Sequence, residues 1–215
     1  MKIGVFDSGR GGTTVLSAIK KLLPAEDYFY INDSKNCPYG EKSDRELYAI
    51  VTKNVETLKS WGASIIVIAC NTATVKCIDK LRADFPELKF VGTEPAIKLA
   101  ANFPHAKNIL VLATPGTVKS ERTLALKKDN QRTGQKIELL ACPGLADAIE
   151  NDSPDIDALL DRLLPDNPNS YDTVVLGCTH YPLIKEKLQK RFPSAVFLDG
   201  SDGVARQVVR LIDAT

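Results

Sequence analysis

The chain has 215 residues, 44% of them hydrophobic and 26% charged, with a formal net charge of +1. That length holds one large domain or two small ones with real cores, and the balanced charge gives no electrostatic basis for nucleic acid or an anionic membrane as partner. No apolar stretch reaches membrane-spanning length, and the opening MKIGVFDSG turns acidic too early for a secretion signal, so a cytoplasmic protein is expected.

In chain order, short apolar runs predict strands at Lys2–Phe6, Tyr28–Asn32, Ser64–Ala69, Lys89–Gly92, Asn108–Ala113, Ile137–Ala141, Thr173–Gly177 and Ala195–Leu198. Amphipathic segments lie between many of them. In Asp44–Trp61, Leu47, Ile50, Val51, Val55 and Leu58 recur at helical spacing. Strands alternating with helices predict an α/β fold with largely parallel sheets. Pro165–Ser170, PDNPNS, reads as a loop.

The chain also repeats itself. Cys70 and Cys178 each follow an apolar strand, and they stand 108 residues apart. Phe85-Pro86 meets Phe192-Pro193 at an offset of 107, and IGVFDSGRGGT from Ile3 meets ILVLATPGTVK from Ile109 at 106. Any two strand–turn–helix units look somewhat alike, but this run of matching offsets predicts two equivalent halves related by a pseudo-two-fold axis.

In parallel α/β sheets ligands bind at the carboxyl ends of strands. DSGRGG, ACNTAT, ATPGT and GCTHYP fall there. If the halves face each other, Cys70 and Cys178 flank one cleft. Two thiols on opposite sides of a carbon are able to take a proton from one face and return one to the other. Each thiol precedes a helix start, whose unpaired N–H groups are expected to lower its pKa. Asn71, Thr72 and Thr179 suit helix capping or the holding of a carboxylate, and Pro182 suits the first turn of the following helix. A lone cysteine at a strand end is more often a buried hydrophobe, and the case rests on the pair.

DSGRGG (Asp7–Gly12) lacks the Lys-Ser/Thr of a phosphate loop and the last glycine of a dinucleotide fingerprint. Its glycines still offer N–H groups to an anion such as a carboxylate. Asp7 is a candidate to orient or deprotonate a thiol, or to cap the helix. His180, two residues after Cys178, is a natural acid/base partner. His105 reads as structural. Five cysteines without CxxC spacing point to reduced thiols, and no spacing of ligands suggests a metal. Cys77 reads as core, Cys37 as near the site, and Cys142 is unassigned.

FDSGRGG, PYG, ACNTAT, TVKS and GCTHYPL, with the closing FLDGSDGVARQVVRLI, occur in the order and at the separations of the glutamate racemases of the aspartate/glutamate racemase superfamily. The chain resembles that family from Lys2 to about Ile212. The resemblance implies two α/β domains, residues 1–95 with 200–215 and residues 96–199, with the active site between them and the last helix returning to the first domain. It implies interconversion of L- and D-glutamate without a cofactor, supply of D-glutamate for peptidoglycan, and a homodimer. Cys70 and Cys178 would be the acid/base thiols, Asp7 assisting the first, and His180 with Glu150 assisting the second. Ser8, Tyr39, Gly40, Asn71, Thr72, Thr117 and Thr179 would bind substrate.

The chain departs from the family at Arg10, where an apolar residue is usual, at Asn32, which replaces a common glycine, and in GTEPAI, which matches in part. An aspartate or other amino-acid racemase of the same fold is the nearest alternative. A lyase or decarboxylase of the superfamily, which tends to keep one thiol, and a non-catalytic amino-acid-binding homologue are others.

Overall fold

The computed structural model describes residues 1–214, so Thr215, the end of the expected range 200–215, lies outside the described residues. Among the described residues eight strands form two separate all-parallel sheets. The first holds β1 (Lys2–Asp7), β2 (Asp27–Asn32), β3 (Ile65–Ile68) and β4 (Lys89–Gly92) in the order β2-β1-β3-β4. The second holds β5 (Asn108–Ala113), β6 (Lys136–Ala141), β7 (Thr173–Leu176) and β8 (Val196–Leu198) in the matching order β6-β5-β7-β8.

Strand pairing carries the repeat seen in the sequence. Ile3 lies opposite Ile65 in the first sheet, and Ile109 lies opposite Thr173 in the second. Equivalent residues are thus 106 and 108 positions apart, as the motifs are. The central strands β3 (IIVI) and β7 (TVVL) are buried throughout. Helices cover both faces of each sheet, so neither face is left for polar residues.

In the first half, α1 (Gly12–Leu22) lies on one face, and α2 (Asp44–Ser60) and α3 (Asn71–Asp84) lie on the other. Alternate side chains of β1 divide between them: Ile3 and Val5 pack with Val15 and Ile19, while Phe6 packs with Leu47, Val51 and Leu81. In the second half, α4 (Ile97–Ala101), α5 (Pro115–Val118) and α6 (Glu121–Asn130) precede β6. Then come α7 (Leu145–Glu150), α8 (Ile156–Leu163) and α9 (Lys185–Arg191), which cover the Leu110 and Leu112 face. The last helix, α10 (Ser201–Asp213), packs Val204, Ala205 and Val208 beside α1, in the core of the first half.

Helix ends follow local chemistry. The Ser43 hydroxyl accepts the Glu46 N–H at 3.3 Å and starts α2 one residue before Asp44. Leu23, Phe85 and Phe192 close α1, α3 and α9 with nearly one conformation, at φ −130°, −128° and −123°. Each precedes a proline, whose ring disfavours helical geometry in the residue before it. The PDNPNS stretch carries only a single 3₁₀ turn, Pro168–Ser170. Among the described residues no helix is long and apolar enough to cross a membrane.

Phe192 is 1% exposed and meets Tyr171 and Phe197 edge-on, at ring separations of 6.3 and 6.4 Å. Phe192→Ala is expected to cost about 3–5 kcal/mol. Urea unfolding read by circular dichroism checks this; a loss below about 1 kcal/mol would mean the cluster is not packed as described.

Candidate active site

The carboxyl ends of β1, β3, β5 and β7 meet where the two halves face each other. They deliver Ser8, Cys70, Thr114 and Cys178 to a single narrow cavity. Both sulfurs lie deep, Cys70 at 5% exposure and Cys178 at 6%. Tyr39, Gly40, Asn71 and Thr72 also border this cavity. Two of its walls, Thr114 and Ala146, were not singled out from the sequence. Thr114 had a signal, because it stands 106 residues after Ser8, at the equivalent place in the repeat. A wider, open groove between α3 and α6 shares Gly40 with the cavity but borders neither thiol.

On the Cys178 side three groups stand in line. Cys178 Sγ lies 3.7 Å from His180 Nδ1, and His180 Nε2 lies 2.8 Å from Glu150 Oε2. Glu150 is partly desolvated, which raises its pKa, but N–H and O–H donors from Arg10, Ser34 and His180 outweigh this and hold it below the ordinary value. Glu150 is therefore a carboxylate and an acceptor only. It holds His180 through Nε2, so that Nδ1 faces the Cys178 sulfur.

On the Cys70 side, the thiol donates to Ser8 Oγ at 3.6 Å. Asp7 is wholly buried. Its carboxylate accepts the Gly12 N–H at 2.8 Å, at the start of α1, and the Thr179 hydroxyl at 3.2 Å from the other half. Burial raises its pKa, against the pull of His180 and of those donors. Asp7 thus caps a helix and ties the two halves together beside the thiols.

Helix starts were expected to lower the thiol pKa values, and the structure reverses this. Burial pushes Cys70 up to about 12, the charge of Asp7 adds to it, and the Ala73 and Thr72 N–H groups offset only part. Burial likewise raises Cys178 well above the ordinary value. Taking sulfur out of water costs the anion more than two N–H dipoles return. Asn71 is also not a cap. Cys70 itself occupies the cap position of α3, and the Asn71 side chain donates to the Thr93 carbonyl at 3.2 Å. Cys178 leads into a 3₁₀ turn, Tyr181–Ile184, with Pro182 inside it, before α9 begins.

The glycine loop also has a different use from the one expected. Its N–H groups serve the protein's own carboxylates: Arg10 N–H donates to Glu150 Oε2 at 2.9 Å, and Gly12 N–H to Asp7. Its glycines permit contact between the halves. A β-carbon on Gly11 would lie 2.5 Å from the Thr179 carbonyl carbon, and one on Gly9 would lie 2.4 Å from Glu150 Oε2.

Hydroxyls bridge the halves on the far side of the cavity. Thr72 Oγ1 lies 2.9 Å from Thr114 Oγ1 and 3.2 Å from Thr117 Oγ1, and the last two are 3.0 Å apart. These O–H groups rotate freely enough to turn toward a carboxylate. Thr117 stands one step behind the cavity wall, and Thr179 is turned to Asp7. The Tyr39 hydroxyl donates to Asp33 at 2.5 Å and accepts from Asn54 at 3.0 Å, which fixes its ring. Cys37 borders the cavity, whereas Cys77 and Cys142 are core residues. His105 lies in an exposed turn at φ +66°.

Known proteins place the chain. The family described as Asp/Glu/hydantoin racemase matches residues 3–208. Glutamate racemase of Clostridium botulinum is 40% identical over 214 residues, covering 97% of this chain and 82% of that protein. Glutamate racemase of Pseudomonas aeruginosa is 40% identical over 217 residues, covering 99% and 82%. Crystalline Escherichia coli glutamate racemase, solved with L-glutamate and the activator UDP-MurNAc-Ala, is similar at a TM-score of 0.87 and 34% identity, over 99% of this chain and 82% of that one. Picrophilus torridus aspartate racemase, at 0.63 and 20%, shares the fold. On these matches, and with its paired halves and paired thiols, the chain belongs to the Asp/Glu/hydantoin racemase family and is an isomerase of that kind.

Proposed function

We propose that the protein is a glutamate racemase that interconverts L- and D-glutamate with Cys70 and Cys178 as its two acid/base groups, and that it supplies D-glutamate for peptidoglycan. The observation that carries this reading is the delivery of one thiol from the same place in each half to a shared cavity. Glutamate is favoured over aspartate because relatives at 40% identity are glutamate racemases, whereas the aspartate racemase is a fold-level likeness.

In this reading one cysteine, as thiolate, removes the α-hydrogen as a proton. The electron pair stays on carbon and spreads into the α-carboxylate, where fixed hydroxyl and N–H donors stabilise the developing charge. The opposite thiol gives its proton to the other face. Thiol and thiolate have then changed places, and the enzyme is ready for the reverse reaction. His180, aligned by Glu150, manages the proton of Cys178, and Asp7 beside Cys70 manages the other. Ser8, Asn71 and the Thr72–Thr114–Thr117 hydroxyls would hold the carboxylates, while Tyr39 and Gly40 shape the wall. Thr179 would act through Asp7.

The raised thiol pKa values give this chemistry a pH dependence. Burial pushes both thiols toward the protonated form, and the reaction needs one of them ionised. log(kcat/KM) is expected to rise with a slope near one from about pH 6 to about pH 8.5, because kcat/KM reports the free enzyme. A flat profile over that range would mean that one thiol is already ionised or that its proton stays inside the site, on His180.

The direct test follows the circular dichroism of L-glutamate, and separately L-aspartate, with the purified protein and no added cofactor. The glutamate signal should decay to zero while that of aspartate persists. Loss of the aspartate signal alone would favour the aspartate reading, and binding of D-glutamate without any decay would favour an inactive homologue.

A further inference from the structure

Arg10, which departs from the family pattern, reaches across the cleft. It stands on the first half, between β1 and α1, and its guanidinium and backbone N–H find their partners on the second. Nη1 donates to Asp152 Oδ2 at 2.7 Å, and Nη2 donates to the Ile149 carbonyl at 2.5 Å and to Asp152 Oδ1. Its backbone N–H donates to Glu150 Oε2 at 2.9 Å. Ile149 and Glu150 end α7, where carbonyls lack helical partners and the helix dipole is negative. Just beyond, Asp152 adopts a left-handed backbone, φ +49°, and its carboxylate meets the guanidinium. One residue therefore grips the end of this helix at three points, and the helix ends in the carboxylate that aligns His180.

We propose that Arg10 is a positioning residue for the Cys178 half of the reaction: it clamps the end of α7 so that Glu150 keeps its contact with His180. This rests on the reading above, in which Glu150 and His180 serve Cys178. The alternative is an ordinary ion pair on the surface. With Arg10 at 37% and Asp152 at 75% side-chain exposure, such a pair contributes little to stability. A clamp acting through Glu150 predicts something an ion pair does not. Removing it matters only while Glu150 is there to be misplaced.

The experiment is a double-mutant cycle on the whole chain, with kcat, KM and thermal midpoint measured for Arg10→Ala, Glu150→Gln and the pair, and with Arg10→Lys as a conservative variant. Arg10→Ala should lower kcat about tenfold, the scale on which partners of reacting groups act, with the midpoint nearly unchanged. Arg10→Lys should recover part of the loss, since it keeps the charge but not the fork. In the Glu150→Gln background, Arg10→Ala should have almost no further effect. An equal loss in both backgrounds, or no loss in either, would overturn the clamp while leaving the relay standing. If Glu150→Gln alone left turnover unchanged, the relay and the clamp would fall together.

Discussion

Cys70→Ala and Cys178→Ala are each expected to lower kcat for racemisation by about 10³-fold, in both directions, without unfolding the protein. The magnitude is that of a positioned acid/base group, usually 10²–10⁴-fold. Both directions suffer because each needs a proton removed on one side and a proton supplied on the other. KM should change far less, since neither sulfur is needed to hold a carboxylate. Both residues sit in the cavity wall at 5–6% exposure, so the small side-chain loss should move the thermal midpoint by only a few degrees. Paired kinetics and thermal melts decide this. A variant that keeps even a tenth of wild-type kcat removes its cysteine from the mechanism.

Gly11→Ala is the second large effect. The new methyl would lie 2.5 and 2.6 Å from the carbonyl carbon and oxygen of Thr179 and 2.7 Å from the nitrogen of His180. These are backbone atoms of the opposite half, immediately after Cys178, and they yield only if the halves separate. A displacement of about 1 Å between reacting groups costs on the order of 10²-fold. kcat should fall by about that much, and overpacking should cost about 1–3 kcal/mol. Gly203→Ala is the control. That glycine lies within α10 with nothing near its would-be β-carbon, so the change should leave activity intact and stabilise by about 0.5–1 kcal/mol. Steady-state kinetics and urea unfolding of the two variants give the comparison. A fully active Gly11→Ala protein would show that the loop does not set the distance across the cleft.

The architecture was legible because its signals are local. IIVI and TVVL are too apolar for anything but buried strands, and Phe-Pro at residues 85–86 and 192–193 stops two helices by the same steric rule. The nearly constant offsets of 106 to 108 residues are written along the chain itself. What stayed hidden depends on the other half. The thiol pKa direction follows from desolvation, which is absent until Cys70 and Cys178 are enclosed, so the helix start is a real but smaller influence. Gly11 and Gly9 looked like anion-binding residues because nothing local reveals that Thr179, His180 and Glu150 press against them. Arg10 was visible as a departure, but its partners Ile149 and Asp152 lie about 140 residues further on. Thr114 was missed although the repeat pointed to it through Ser8.

Whether a sulfur stands on each side of the α-carbon is best measured by hydrogen exchange in deuterium oxide with the serine variants. Cys70→Ser and Cys178→Ser, each incubated separately with L- and D-glutamate, should wash the α-hydrogen out of one enantiomer only, without inverting it. The two variants should choose opposite enantiomers. If both variants exchanged the same enantiomer, or if either exchanged both, the thiols would not occupy opposite faces.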